Sequence, residues 1–155
     1  VILTPLPETA ATAYRLIRQM WELTGAEVMN MGVRHHDAVL AATSHLPHVL
    51  AYTLVDTLAR LDDRAEVFRY AASGFRDFTR IASSDPQMWH DICIANREQL
   101  LEMITLFSGD LAQLAEAIRS DDRAAILATF QQAKHAHDNV VSRLNFRCDR
   151  YPFHR

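Results

Sequence analysis

The chain has 155 residues, 49% of them hydrophobic and 23% charged, with a formal net charge of −3 and a pI near 6.2. This is globular composition with enough apolar content for a buried core, and the acidic balance gives no electrostatic reason to expect nucleic acid or an anionic membrane as partner, so an anionic ligand must be met by local cations. Cys93 and Cys148 are far apart and outside any CxxC pattern, which argues against a zinc ribbon or disulfide framework and for a reduced, cytoplasmic setting.

No run of about 18 apolar residues and no basic leader is present, so no membrane-crossing segment is expected. The first residue is Val rather than Met, the mark of a fragment. Val1 to Thr4 is a β-branched run cut off by Pro5 and Pro7 and reads as the end of a buried strand. From Glu8, Ala13, Leu16, Ile17, Met20 and Trp21 recur at helical spacing, with Gly25 as the stop. Ala26 to Met31 is a short alternating piece, strand or loop.

Val33 to Leu61 then reads as one long helix containing four histidines and a proline. At about 100° per residue, Leu40, Leu46, Leu50, Leu54, Leu58 and Leu61 form a core-facing stripe. The other face carries Ala38, Ala41, His45, His48, Tyr52 and Asp56, so two imidazoles at i and i+3 share one polar space. Pro47 removes a backbone donor, leaves the Thr43 carbonyl without its usual partner and predicts a kink there. Beyond Asp62 and Asp63, Glu66 to Ala72 reads as a short helix anchored by Val67, Phe68 and Tyr70.

In Ser73 to Trp89, Phe75, Phe78 and Ile81 supply a buried side, while Arg76 and Arg80, four apart around Asp77, make an anion-binding arrangement. Asp85 before Pro86 is a helix start: the carboxylate caps free N–H groups, and proline lacks the donor that would be orphaned. Leu100, Ile104, Phe107, Leu111, Leu114 and Ile118 then alternate in steps of four and three, a seam for another helix or another subunit. Ser120, Asp121 and Asp122 open a last helix with Leu127, Phe130, Val141 and Leu144 inward. The result is an all-α chain, a bundle of about six helices with long central ones.

A metal site is not predicted, because His36 lies opposite His45 on the helix and too few of His35, His36, Asp37, His45, His48 and Asp56 converge on one ion. The His36–Asp37 pair resembles the core of HD phosphohydrolases, which needs an earlier histidine that this chain lacks. His135 and His137 read as exposed helix residues. Gly25, Gly32, Gly74 and Gly109 make no GxGxxG turn, so no dinucleotide is bound by this stretch. The plainer alternative makes the histidines hydrogen-bonded core residues and the arginines surface ion-pair residues, Arg80 with Asp77 or a neighbour.

Taken together, HHDAVLAATSHLPHVLAYTLVDTL, GFRDFTRIASSDPQMWHDI and the opening VILTP resemble the prephenate (or arogenate) dehydrogenase family, from Val1 to about Arg119. The resemblance implies the helical substrate-binding and dimerisation half of a two-domain enzyme: residues 1–5 as the end of an absent nucleotide-binding domain that also holds the catalytic histidine, and 6–155 as the helical domain. It implies NAD(P)-dependent oxidative decarboxylation of prephenate in tyrosine biosynthesis, prephenate or arogenate as substrate, NAD or NADP held by the absent domain, L-tyrosine as feedback inhibitor, and a homodimer. Arg80 matches the substrate-carboxylate arginine and His48 a pocket histidine. Ser44, His45, Asp77 and Trp89 match residues lining or gating that pocket, and His36 a position at its edge. Ser73 replaces a glycine expected before Gly74. The alternative reading is a stand-alone helical binding or metal-site module.

Overall fold

A computed structural model describes residues 1–148, with side chains for residues 1–140 other than Val67. Val67, Val141 and Leu144, expected as anchors, and the tail from 149 lie outside what is described. The described chain is helical apart from one parallel strand pair, β1 (Ile2–Leu3) and β2 (Met29–Asn30), with Ile2 opposite Met29 and Leu3 opposite Asn30. The helices are α1 (Ala11–Leu23), α2 (Val33–Leu40), α3 (Leu46–Ala59), α4 (Arg64–Arg69), α5 (Ser73–Thr79), α6 (Pro86–Ala95), α7 (Arg97–Arg119) and α8 (Arg123–Cys148). A π turn, Ala41–His45, joins α2 to α3, and a 3-10 turn, Arg80–Ser83, follows α5. The chain divides into two compact units, Val1–Thr105 and Leu106–Arg155.

The helix ends follow the chemistry read from the sequence. Gly25, at φ 82°, lets the chain turn back so that Ala26 N–H bonds the Trp21 carbonyl and closes α1. Asp85 accepts from Met88 N–H at 2.8 Å with Pro86 in the first turn of α6, and Asp122 accepts from Ala125 N–H at 3.0 Å at the start of α8. Asp121, not a glycine, takes the left-handed conformation at the end of α7, at φ 53°.

Packing departs from the sequence expectation in four places. First, α1 begins at Ala11 rather than Glu8, and Ala13, Leu16, Ile17, Met20 and Trp21 are all exposed. An amphipathic stripe shows that a helix needs a partner, not that its own chain supplies one. Second, the proline's disturbance takes the form of a π turn just before it, in which Leu46 N–H reaches back to the Ala41 carbonyl. The wide turn advances the helical register by about one residue. Of the leucine stripe only Leu46 is buried, Leu40, Leu50, Leu54 and Leu58 are half-buried and Leu61 is exposed, while on the other face Ala41 and His45 are buried, Ala38, His48 and Tyr52 half-buried and Asp56 exposed.

Third, the seam on α7 is buried only at its start: Leu100 is enclosed, Ile104, Phe107 and Leu114 are half-buried, and Leu111 and Ile118 are 54% and 61% exposed. Phe78, Leu127 and Phe130 are exposed as well, while Phe75 and Ile81 are half-buried. Fourth, α4 starts at Arg64 and ends before Tyr70, which lies exposed beside the Arg69 guanidinium rather than anchoring anything. The run Val33–Ala59 reaches the length and mean hydropathy of a membrane span without being an unbroken apolar run, and it carries Ala41, His45, Leu46 and Ala51, all buried in the first unit.

Candidate functional site

The site is built on the π turn and the first turns of α3. Placing His45 and His48 three apart, on either side of Leu46 and Pro47, turns both rings toward Trp89 of α6. His48 stacks on the indole with centroids 3.5 Å apart and planes 18° from parallel; His45 meets it edge-on at 6.1 Å. Trp89 and His45 are each only 8% exposed. The Asp85–Pro86 cap starts α6 and so sets where Trp89 enters this cluster.

Each imidazole has one nitrogen committed. His48 Nδ1 lies 2.8 Å from the Ser44 carbonyl, one turn back, and donates to it. His45 Nδ1 lies 3.1 Å from the side-chain amide of Asn96, which also bonds the Asp37 carbonyl at 2.8 Å. Burial pushes the His45 imidazole below its ordinary pKa; the Asp37 carboxylate opposes this, and His36 and His48 add to it. His36 is turned to Asp37, Nδ1 to Oδ1 2.9 Å, and stands at the edge rather than among the stacked rings. Trp89 Nε1–H is buried and has no partner among the described residues, an arrangement that costs about 1–3 kcal/mol.

The remaining candidates sit on α5 and the 3-10 turn, which pack against α3. Tyr52 of α3 donates to the Ser84 carbonyl at 2.6 Å and ties that segment to the histidine helix. Arg80 begins the turn with an exposed side chain and, among the described residues, has no ion pair, with Asp77 or otherwise. Arg76 is different: Nε and a terminal nitrogen both donate to the Ala71 carbonyl, at 3.3 and 3.2 Å, so the expected pair of free guanidiniums is reduced to one. Asp77 and Ser73 are exposed on α5 and touch neither histidine ring. Ser44 and His45 thus stand on the π turn, His48 on α3, Arg80 on the 3-10 turn and Trp89 on α6, with Asp77 and Ser73 on α5.

Asn96 was not singled out in the sequence. The sequence reads as one long helix from Pro86 through the Leu100–Ile118 seam, and the structure breaks it at Asn96 into α6 and α7. Among the described residues no three His, Cys, Asp or Glu side chains gather to hold a metal. A cleft of about 830 Å³ in the second unit is lined by Asp110, Glu116 and Asp122 among others and offers an anion no cation. Free Cys93 is half-buried, and burial raises its pKa, so the thiol is a poor nucleophile. What this site presents is the Arg80 guanidinium, without an ion pair among the described residues, on a turn tied through Tyr52 to the helix that carries two oriented imidazoles, groups suited to holding an acid.

Residues 33–132 match the sequence profile described as prephenate dehydrogenase, dimerization domain. The cyclohexadienyl dehydrogenase of Zymomonas mobilis is 42% identical over 138 residues, 88% of this chain and 47% of that protein. The prephenate dehydrogenase of Bacillus subtilis is 32% identical over 143 residues, 92% of this chain and 38% of that protein. Among solved structures, prephenate dehydrogenase from A. aeolicus in complex with hydroxyphenyl propionate and NAD+ superposes with a TM-score of 0.83 at 36% identity, over 90% of this chain and 49% of that one. Arogenate dehydrogenase from Synechocystis gives 0.78 at 25% identity, over 90% and 51%. The chain spans about half the length or less of the relatives it matches.

Proposed function

Because this chain belongs to the prephenate dehydrogenase family, matching its dimerization domain, we propose that it is the substrate-binding and subunit-pairing part of an NAD(P)-dependent enzyme that oxidatively decarboxylates prephenate or arogenate in tyrosine biosynthesis. Membership decides against the stand-alone module. Residues 1–5 are the end of a preceding nucleotide-binding domain and the rest is the helical domain. The described residues do not fit a nicotinamide dinucleotide: the strand pair is two residues long and no glycine turn approaches a pyrophosphate. The cofactor, NAD or NADP, is therefore held by other residues, and the complete enzyme is cytoplasmic.

The observation that carries the substrate reading is Arg80, a guanidinium without an ion pair among the described residues, on a turn tied through Tyr52 and Ser84 to α3, which carries His48 and continues from the π turn of His45. A planar guanidinium grips a carboxylate with two charge-assisted hydrogen bonds. In a protein of net charge −3 the overall field does not attract a dianion, so this local cation selects it. His48 orients the substrate; His45, Ser44 and Trp89 line the pocket, Asp77 and Ser73 its outer rim, and His36 its edge. L-tyrosine, which shares a hydroxylated six-membered ring and a side-chain carboxylate with these acids, competes there as feedback inhibitor. The exposed half of the α7 seam, Leu111 and Ile118, is buried in a homodimer.

The test is turnover. The complete enzyme should reduce NAD or NADP when given prephenate or arogenate, and the purified 155-residue chain should not. Failure of the complete enzyme with both acids, or nicotinamide reduction by the chain alone, would overturn the proposal.

A further inference from the structure

Asn96 lies between α6 and α7, outside the sequence blocks that carry the family resemblance. Its Nδ2 faces two groups, the Asp37 carbonyl at 2.8 Å and His45 Nδ1 at 3.1 Å. A backbone carbonyl only accepts, so the atom facing it must be the amide NH2 and not the amide oxygen, which settles the orientation of the side chain. That NH2 has two hydrogens. One goes to Asp37, and the other reaches His45 Nδ1, which must then hold a lone pair, leaving the proton of the neutral ring on Nε2. His48 is set the other way: Nδ1 donates to the Ser44 carbonyl, and the lone pair is on Nε2.

We infer that Asn96 is a positioning residue, which holds His45 in the Nε2–H form and makes the two imidazoles a fixed donor beside a fixed acceptor. Protonating His45 at Nδ1 would press N–H against N–H and break the Asn96 bond. The groups around the ring are Asp37 and His36 from α2, His48 from α3 and Trp89 from α6; only the Asp37 carboxylate favours the cation, and burial opposes it. Importance for substrate rests on the reading of this cluster as the substrate site; the protonation state of the ring does not.

The experiment is 15N NMR of the histidine-labelled 155-residue chain, with Asn96→Asp and Asn96→Leu. In the parent chain at neutral pH, His45 Nδ1 should show the shift of an unprotonated nitrogen and Nε2 that of a protonated one, with the reverse pattern at His48. Asn96→Asp should move the His45 proton to Nδ1 and raise its titration midpoint by about one to three pH units, as an opposite charge in hydrogen-bond contact does. Asn96→Leu, which removes the donor without adding a charge, should give His45 shifts averaged between the two forms. His48 should not change in either variant. A protonated Nδ1 in the parent, or a folded Asn96→Leu chain with parental His45 shifts, would overturn the inference, and both readouts survive if the aspartate variant fails to fold. If the shifts behave as expected but Asn96→Leu leaves the prephenate KM of the complete enzyme unchanged, the substrate-site reading fails and the positioning stands.

Discussion

Replacing Arg80 by alanine separates binding from structure. In the free protein its side chain is exposed and makes no ion pair among the described residues. The substitution should therefore cost no more than about 0.5 kcal/mol, a melting shift of about 2 °C or less. Once a carboxylate covers the guanidinium, the pair is desolvated, and truncating one member typically costs about 2–5 kcal/mol, so the prephenate KM should rise by about one to three orders of magnitude. The KM for the nicotinamide should barely move. Arg76→Ala is the internal contrast, because that side chain holds the Ala71 carbonyl: it should cost about 1 kcal/mol of stability and leave the prephenate KM alone. Steady-state kinetics and thermal melts on the same purified variants of the complete enzyme read both quantities. A stable Arg80→Ala enzyme with parental prephenate KM removes Arg80 from the site, and a large loss of melting temperature makes it a structural residue instead.

His48→Asn keeps a donor for the Ser44 carbonyl but loses the stacking on Trp89, so the prephenate KM should rise by about one order of magnitude at most; a larger loss would assign His48 a charged contact. Asp85→Ala removes the acceptor for Met88 N–H and should lower stability by about 1 kcal/mol in a denaturant melt, with Asp85→Asn recovering most of it. Burial lowers the His45 pKa in the folded chain below its unfolded value of 6.5, so the unfolded state binds protons first as pH falls. The stability present above the unfolded pKa should be lost as pH drops through the folded one, and His45→Phe should flatten that part of the stability curve. The chain should be a dimer by light scattering at micromolar concentration, and Leu111→Glu with Ile118→Glu should shift it toward monomer; a monomeric parent would contradict the pairing.

Local chemistry was legible in the residues alone. The Asp85–Pro86 start, the Asp122 cap, the Gly25 stop and the helical stretch around the histidines depend on groups within a few positions of one another, and the structure has each of them. The shared space of His45 and His48 followed from their spacing, and both rings meet Trp89. Which apolar face finds a partner was not legible, because periodicity records that a face must be covered and not by which element or which chain. The stripe on α1 and the end of the α7 seam remain open, while Ala41 and His45 on the histidine face are enclosed. Nor could spacing tell Arg76 from Arg80. That depends on the Ala71 carbonyl lying within reach of one guanidinium and not of the other. The partner that sets the His45 ring comes from a residue 51 positions away, a distance no helical repeat spans, and only the packing of α6 and α7 beside the π turn brings the two together.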